Sequence, residues 1–536
     1  MRIIYKLSFV LTAILLLAGC KKYLDINTNP AVPQTSKAEL LLPPILFQMT
    51  NGTSQDYRFI WKVTQNLIGA STDDASLVWE KHSYTAASDN GGVIWRMTYV
   101  DLGLNLENLI NDAVANQKYE YAAIGYAIKA WAYQMTTDMY GPIILDEAFT
   151  PGLLKFPYHD QPEVYAKVRY YGQQAIKYSN MTSPVSYASQ LAGTTGDGIY
   201  KGDMAKWRKF VYAVYALQYS HLVNKPEFRT QYADSVTKYT NLSFANESES
   251  ATVYFSASST DDTNPFGPTL GYINTSGTTS TYYGRISTTI LNYLAGGMKG
   301  TATTNPTTST DPRLSRMLPA STATATLGRY IAGTPTQGSS TSGLPIVFGS
   351  IPTGAITYNG KYIFADAARY PLMTYSQLQF AKAEALFLQG KTAEAYTAYV
   401  AGIRGHMAFY NTYGRASKTP DAAITDAEIN TYMASAEVAQ NASTLTLADI
   451  MGQKYIAQWG WGGMEQWCDL RKHHYNATTF RQFYQIPTAD LLLGGKYAYR
   501  FRPRYNSEYV WNSDELRKWG GLDVDYMTKE TWFSQP

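Results

Sequence analysis

Cysteine is almost missing from this chain, with Cys20 and Cys468 the two in 536 residues. That scarcity excludes a disulfide framework and the closely spaced thiol sets of zinc and iron–sulfur sites. Histidine is scarce as well. His82, His159, His221, His406, His473 and His474 are scattered without a two-histidine helical spacing, so neither a metal nor another cofactor is expected. His473 and His474, after Arg471 and Lys472, read as the basic end of a helix. Charged residues make up 16% of the chain, against about 25% in an ordinary domain. The formal net charge is only +3, which excludes the basic footprint of a nucleic-acid binder. Long apolar runs are lacking too: beyond the first twenty residues none reaches the roughly 18 needed to span a bilayer. Catalytic signatures are missing. Gly338, Ser340 and Ser342 fail the last position of a nucleophile elbow, and Gly354 to Lys361 has the wrong spacing for a phosphate loop, with Tyr362 where Ser or Thr is required. Asp73 with Asp74, and Asp261 with Asp262, read as solvated loop acids rather than calcium ligands.

What the chain does have is tyrosine, 45 of them, beside 11 tryptophans. A tyrosine ring is an apolar plate with a polar tip, suited to cores and equally to binding surfaces. The chain begins with Arg2 and Lys6, an apolar run from Leu7 to Leu17, then Ala18, Gly19 and Cys20. This is the layout of a signal peptide. Its Leu-Ala-Gly-Cys end resembles the bacterial lipobox, which implies cleavage before Cys20 and acylation of its sulfur. The mature chain is then expected to be anchored to a membrane without spanning it.

Residues 20–37, with Pro30 and Pro33 and few large apolar groups, suit a lipidated tether. Helical periodicity then predicts three helix pairs. The first is Tyr119–Thr137, stopped by Gly141 and Pro142, with Glu163–Tyr178. The second begins at an Asp203 N-cap, runs to about Val223, and is followed by Pro226–Tyr239. The third is Thr374–Gln389, a turn at Gly390, and Ala393–His406. There Ala383, Ala395, Tyr399 and Gly402 follow the small-and-aromatic spacing of a tetratricopeptide pair, although Gln379 and Leu386 depart from it. Residues 243–365 are rich in Thr, Ser, Gly, Asn and Pro with scattered aromatics, and read as an ordered, loop-rich excursion with few short strands. The expected architecture is all-α. A signal peptide at 1–19 and the tether precede one domain at 38–536, whose tetratricopeptide-like scaffold lies at about 93–242 and 366–475.

Several segments carry a family resemblance. After Cys20 comes Tyr23-Leu-Asp-Ile-Asn-Thr-Asn-Pro30, followed later by Gly202, Asp203, Lys206, Trp207, Lys209 and Phe210. Asp311-Pro-Arg-Leu314, Ala383-Glu-Ala385 and Gln453-Lys-Tyr-Ile-Ala457 come next, then Glu465, Trp467, Asp469, Leu470 and Arg471. The closing segment is Arg502-Pro-Arg-Tyr505 with Ser507, Glu508 and Asn512; Asn506 stands where a Pro is common. In this order the segments resemble the SusD/RagB family of nutrient-binding outer-membrane lipoproteins of Bacteroidetes-type bacteria. The resemblance implies a surface-exposed helical protein lying as a lid on a SusC-like TonB-dependent transporter and capturing oligosaccharides or peptides, with no enzymatic activity. A peptide-binding or purely structural lid is the alternative. A surface glycosidase is a weaker one, since it needs two carboxylates about 5 to 10 Å apart and spacing singles out none of Glu80, Asp89 or Asp101.

Two loop-like stretches combine aromatics with polar neighbours, 71–92 and 264–285, the latter also holding Phe266 and Tyr272. From them Trp79, Tyr84, Tyr282 and Tyr283 are expected to stack on sugar faces, with Asp89, Asn90 and Arg285 pairing with hydroxyls. Trp95, Tyr99, Trp207 and Trp467 are expected in the core.

Overall fold

The longest helix, α1 (Ala38–Val63), buries Leu42, Ile45, Met49, Ile60 and Trp61 along one side, and it carries Pro43 and Pro44 inside its first turns. In the computed structural model, residues 36–69, 74–270, 284–337, 344–348, 360–417 and 419–536 are described. Cys20, Tyr282 and Tyr283 lie outside them, as does Tyr272.

Helix α2 (Gly103–Ala115) packs on α1 and leads to α3 (Tyr119–Tyr140). Eighteen residues of α3 are buried, as its nearly all-round apolar pattern requires. Gly141 ends it with φ +81°, a conformation that costs glycine little. In α4 (Gln161–Ser179) the Asp160 side chain accepts from Glu163 N at 3.1 Å, and Pro162 sits in the first turn where its missing N–H is not needed. Asp203 caps α5 (Met204–Ser220) in the same way, accepting from Lys206 N at 3.1 Å. The helix expected from Pro226 begins later: Phe228–Tyr232 forms a π-helical turn that runs into α6 (Ala233–Leu242).

The short helix α7 (Thr288–Leu294) lies within the excursion. Helix α8 (Tyr375–Leu388) opens with a capping box between Thr374 and Gln377, and Gly390 at φ +79° turns the chain into α9 (Thr392–Tyr413). Ala383, Ala395 and Tyr399 are fully buried where the two helices cross. A Cβ placed on Gly402 would lie 2.7 Å from the Phe380 ring, so small residues set the distance between the axes. Ala395→Trp is therefore expected to lower stability by about 1 to 3 kcal/mol through overpacking, read as a fall in the denaturation midpoint. Helices α10 (Asp426–Met433), α11 (Leu447–Gln458) and α12 (Gly463–Lys472) complete the frame, with α11 packed on α8.

The stacking order α1, α2, α3, α4, α5, α6, α8, α9 makes a continuous run of antiparallel-type helix pairs, tetratricopeptide-like as expected. Two small antiparallel ribbons tie the excursion to this frame. Strand β1 (Leu67–Ile68) and β2 (Ala251–Val253) pair respectively with β3 (Arg285–Ile286) and β4 (Tyr370–Met373), with Leu67 opposite Ile286 and Val253 opposite Tyr370. Trp95, Trp207 and Trp467 are in the core. Phe266, expected among the exposed aromatics, is fully buried and stacked on Tyr370 at 4.5 Å.

Candidate functional site

The loop after Glu80 is held against the closing segment of the chain. Gly91 has φ +75°, and a Cβ there would come within 2.8 Å of Trp79 and 3.0 Å of Phe501; one on Gly92 would meet Arg504 Cα at 2.7 Å. Backbone packs on backbone at this point, and side chains flanking the contact converge. Asp89 reinforces it: Oδ1 accepts from Asn506 N at 2.9 Å, and Oδ2 accepts from Asn506 Nδ2 at 2.9 Å and pairs with Arg504 Nε at 3.1 Å. Beneath the closing segment, Trp95 Nε1 donates to Glu508 Oε1 at 3.1 Å, and Tyr158 OH donates to Glu508 Oε2.

On this support stands an aromatic face. The Arg502 guanidinium lies 4.1 Å from the Tyr84 ring centre and 4.3 Å from that of Tyr509, a cation sandwiched by two π faces. Arg502 Nε also donates to Tyr509 OH at 2.7 Å, and Tyr509 OH donates to Gly521 O at 2.8 Å. Tyr505 stacks on Tyr509 at 5.6 Å with 13° between planes. Tyr84, Asn90, Arg502, Tyr505 and Tyr509 line one narrow groove, with only about 10 Å3 of open space between them. Asn90 is exposed, and Trp511 follows in the same segment with 77% exposure. Burial pushes the Tyr509 hydroxyl above its ordinary pKa, outweighing the opposing pull of Arg502, with Tyr526 and Tyr84 adding to the rise.

The expected site residues are thus partly brought together. Tyr84 and Asn90 share the groove, and Asp89 braces its edge through Arg504 and Asn506. Trp79 corrects the expectation: it is 2% exposed, with its ring 4.7 Å from Phe59 and 4.9 Å from Phe501. Its faces are filled by the core, and the acids beside it in sequence do not make it a surface plate. Arg285 is a second correction. It is 5% exposed within β3, both of whose residues are buried, so it does not reach a surface ligand. The residues that sequence reasoning left without a ligand role are Arg502, Tyr505, Tyr509 and Trp511. Their signal was the four-residue spacing of Tyr505 and Tyr509, which puts both rings on one face of a turn.

The carboxylates considered for glycoside cleavage lie in separate settings. Glu80 is buried and accepts from Gly69 N at 2.6 Å and Thr336 N at 2.8 Å, while Asp101 pairs with Arg96 at 3.2 Å. Asp262 accepts from Ser256 Oγ within its own loop. One group of metal-ligating types meets among the described residues: Asp138, His221, Glu465 and Cys468. Its atoms are engaged with one another and with neighbours. His221 Nε2 lies 3.0 Å from Glu465, Tyr165 OH donates to Asp138 at 2.6 Å, and Arg471 donates to Cys468 Sγ at 3.2 Å. Burial opposes a charged imidazole, but Cys468, Glu465 and Asp138 outweigh it and raise its pKa well above the ordinary value. The cluster is a buried ion-pair network linking α3, α5 and α12.

The family profile described as "Starch-binding associating with outer membrane" matches residues 29–482. The chain belongs to the SusD-like family. Solved structures agree on the fold. A SusD/RagB family protein of Bacteroides thetaiotaomicron superposes with TM-score 0.67 at 17% identity, covering 93% of this chain and 99% of its own. A SusD homolog of Bacteroides fragilis gives 0.68 at 17%, covering 93% and 100%. A chitin-binding SusD homolog of Flavobacterium johnsoniae gives 0.62 at 17%, covering 93% and 98%. No curated protein matches the chain. This SusD-like chain is therefore a member of an outer-membrane-associated, glycan-binding family, and none of its described helices is long and apolar enough to cross a membrane.

Proposed function

We propose that this SusD-like protein is a lipid-anchored lipoprotein on the cell surface. In this reading it captures oligosaccharide and passes it to a SusC-like TonB-dependent transporter without cleaving it. The observation that carries the reading is the Tyr84–Arg502–Tyr509 sandwich with Tyr505 stacked beside it, a set of flat rings flanked by Asn90 in a member of a glycan-binding family. Sugar rings offer flat C–H faces to such plates, and their hydroxyls pair with amide and guanidinium groups. Asp89 acts as a brace that keeps the groove's two walls together. Tyr282 and Tyr283 remain proposed as further plates.

The test is a glycan array probed with the mature chain in detergent, followed by product analysis. Starch-type α-gluco-oligosaccharides and chito-oligosaccharides are the first probes, after the family description and the chitin-binding relative. Binding of at least one oligosaccharide, recovered intact, is expected. No binding to any glycan, or release of shortened products, would overturn the reading.

A further inference from the structure

A cleft of about 750 Å3 opens between the excursion and α10, separate in its lining from the tyrosine groove. Its wall is a run of hydroxyls. Thr303, Thr307, Thr308 and Thr310 line it, and their side chains make no hydrogen bond among the described residues. Tyr330 borders it with its ring largely buried in the core.

The charges that border the cleft cancel in pairs. Arg313 forks onto Asp311, Nε to Oδ1 at 2.9 Å and Nη2 to Oδ2 at 2.7 Å, and Nη2 also donates to Gln453 at 2.7 Å. Arg316 pairs with Glu428 at 2.7 Å. Glu437 is left over. Its Oε2 is buried with no hydrogen-bond partner, and its Oε1 lies 3.8 Å from where a Cβ on Gly296, just past α7, would sit. Burial first, and the charge of Asp311 second, push this carboxyl up to about 7, against the opposing pull of Arg313. Oε2 is closed off from the cleft, but the Glu437 side chain lines it, so an incoming donor meets the carboxyl from the cleft side. With its other charges paired and burial favouring the neutral form of Glu437, the cleft suits an uncharged ligand, and its volume is in the range of ligand pockets.

We propose that this cleft is a second ligand site, taking a neutral polyhydroxylated chain such as an oligosaccharide segment, with Glu437 as its central hydrogen-bonding group. The proposal rests on the oligosaccharide reading for its ligand class but not on the tyrosine groove. Hydroxyls of the chain pair with Glu437 and the threonine wall.

The test follows hydrogen exchange of the mature chain with saturating maltoheptaose or chitohexaose, in wild type and in a Tyr84→Ala/Tyr505→Ala double variant that disables the groove. Slowed exchange at 303–316 and 427–437 is expected in both. On the double-variant background, Glu437→Leu is expected to weaken binding of the protecting probe by about tenfold or more. Glu437→Gln, which keeps uncharged hydrogen bonding, is expected to weaken it far less. Exchange slowed only around 84–90 and 502–509 overturns the second site while leaving the oligosaccharide reading intact. Absence of any slowing overturns the second site, and the oligosaccharide reading falls with it only if the array also shows no glycan bound. Loss of binding with Glu437→Gln as complete as with Glu437→Leu, together with preference for a cationic chitosan oligomer, overturns the neutral-ligand assignment.

Discussion

Glu384→Ala is expected to lower the stability of the chain by about 3 to 5 kcal/mol, the scale for removing one partner of a buried ion network. Glu384 lies on α8 and is 1% exposed. Its Oε2 accepts from Lys472 Nζ at 2.9 Å, its Oε1 faces His473 Nε2 at 2.7 Å, and Lys454 Nζ stands 3.8 Å away. Asp469 completes the set, pairing with Lys454 at 2.7 Å and Lys472 at 2.9 Å. Both lysines are fully buried, so truncation leaves two ammonium groups sharing one carboxylate away from water. Burial would raise the Glu384 pKa, but Lys472 and Lys454 outweigh it and hold the group well below its ordinary 4.5. Because the folded value is depressed, this stabilisation is complete above the unfolded value and falls away as pH drops from there towards the folded one. Lys472 is shifted the opposite way: burial opposes the shift, but Asp469 and Glu384 raise it above its ordinary 10.5. Its contribution is full below that value and is lost as pH rises through the folded one. Denaturant unfolding at neutral pH reads the loss directly, and the gap between wild type and variant is expected to narrow in acid. An unchanged midpoint would mean that the network contributes no net stability.

The second large effect concerns location. Replacing residues 1–19 with a cleavable secretory leader and Cys20 with Ala is expected to move the protein from the membrane fraction to the soluble one. None of the described helices is long and apolar enough to cross a bilayer, and in the proposed reading the acyl chains on Cys20 hold the chain at the membrane. Retention of this variant in the membrane after a high-salt wash, in cells lacking the SusC-like transporter, would contradict the lipid anchor.

Much of the helical frame was legible because its signals are local. Asp160, Asp203 and Thr374 cap helices where the following apolar period begins, and Gly141 and Gly390 end them. Helix α1 was harder to read, since Pro43, Pro44 and Gly52 are breakers by propensity. Tertiary packing overrides them: a Cβ on Gly52 would strike Met97 at 2.5 Å, so the glycine permits a close approach there. Several of the family-like residues turn out to join buried polar networks. Asp311, Arg313 and Gln453 form one, and Glu384, Lys454, Asp469 and Lys472 another. Sequence shows such residues singly, whereas their partners are supplied by elements far apart in the chain.

The ligand face was half legible for the same reason. Tyr84 and Asn90 sit in a polar loop, which pointed to them, but Arg502, Tyr505 and Tyr509 reach them only through the packing of Gly91 and Gly92 on the closing segment. Trp79 shows the limit of reading exposure from neighbours. It stands before a polar loop, yet the α1 residue Phe59 and the closing-segment residue Phe501 enclose its ring.

The most direct measurement of the central claim is calorimetric titration of the mature chain with an oligosaccharide that the array identifies, in wild type and in the Tyr84→Ala/Tyr505→Ala variant. Each lost plate removes about 0.5 to 1.5 kcal/mol beyond its buried area, so an affinity loss of about tenfold or more at the groove is expected with the fold retained. Equal affinity in the two proteins would contradict capture of the ligand on the tyrosine face.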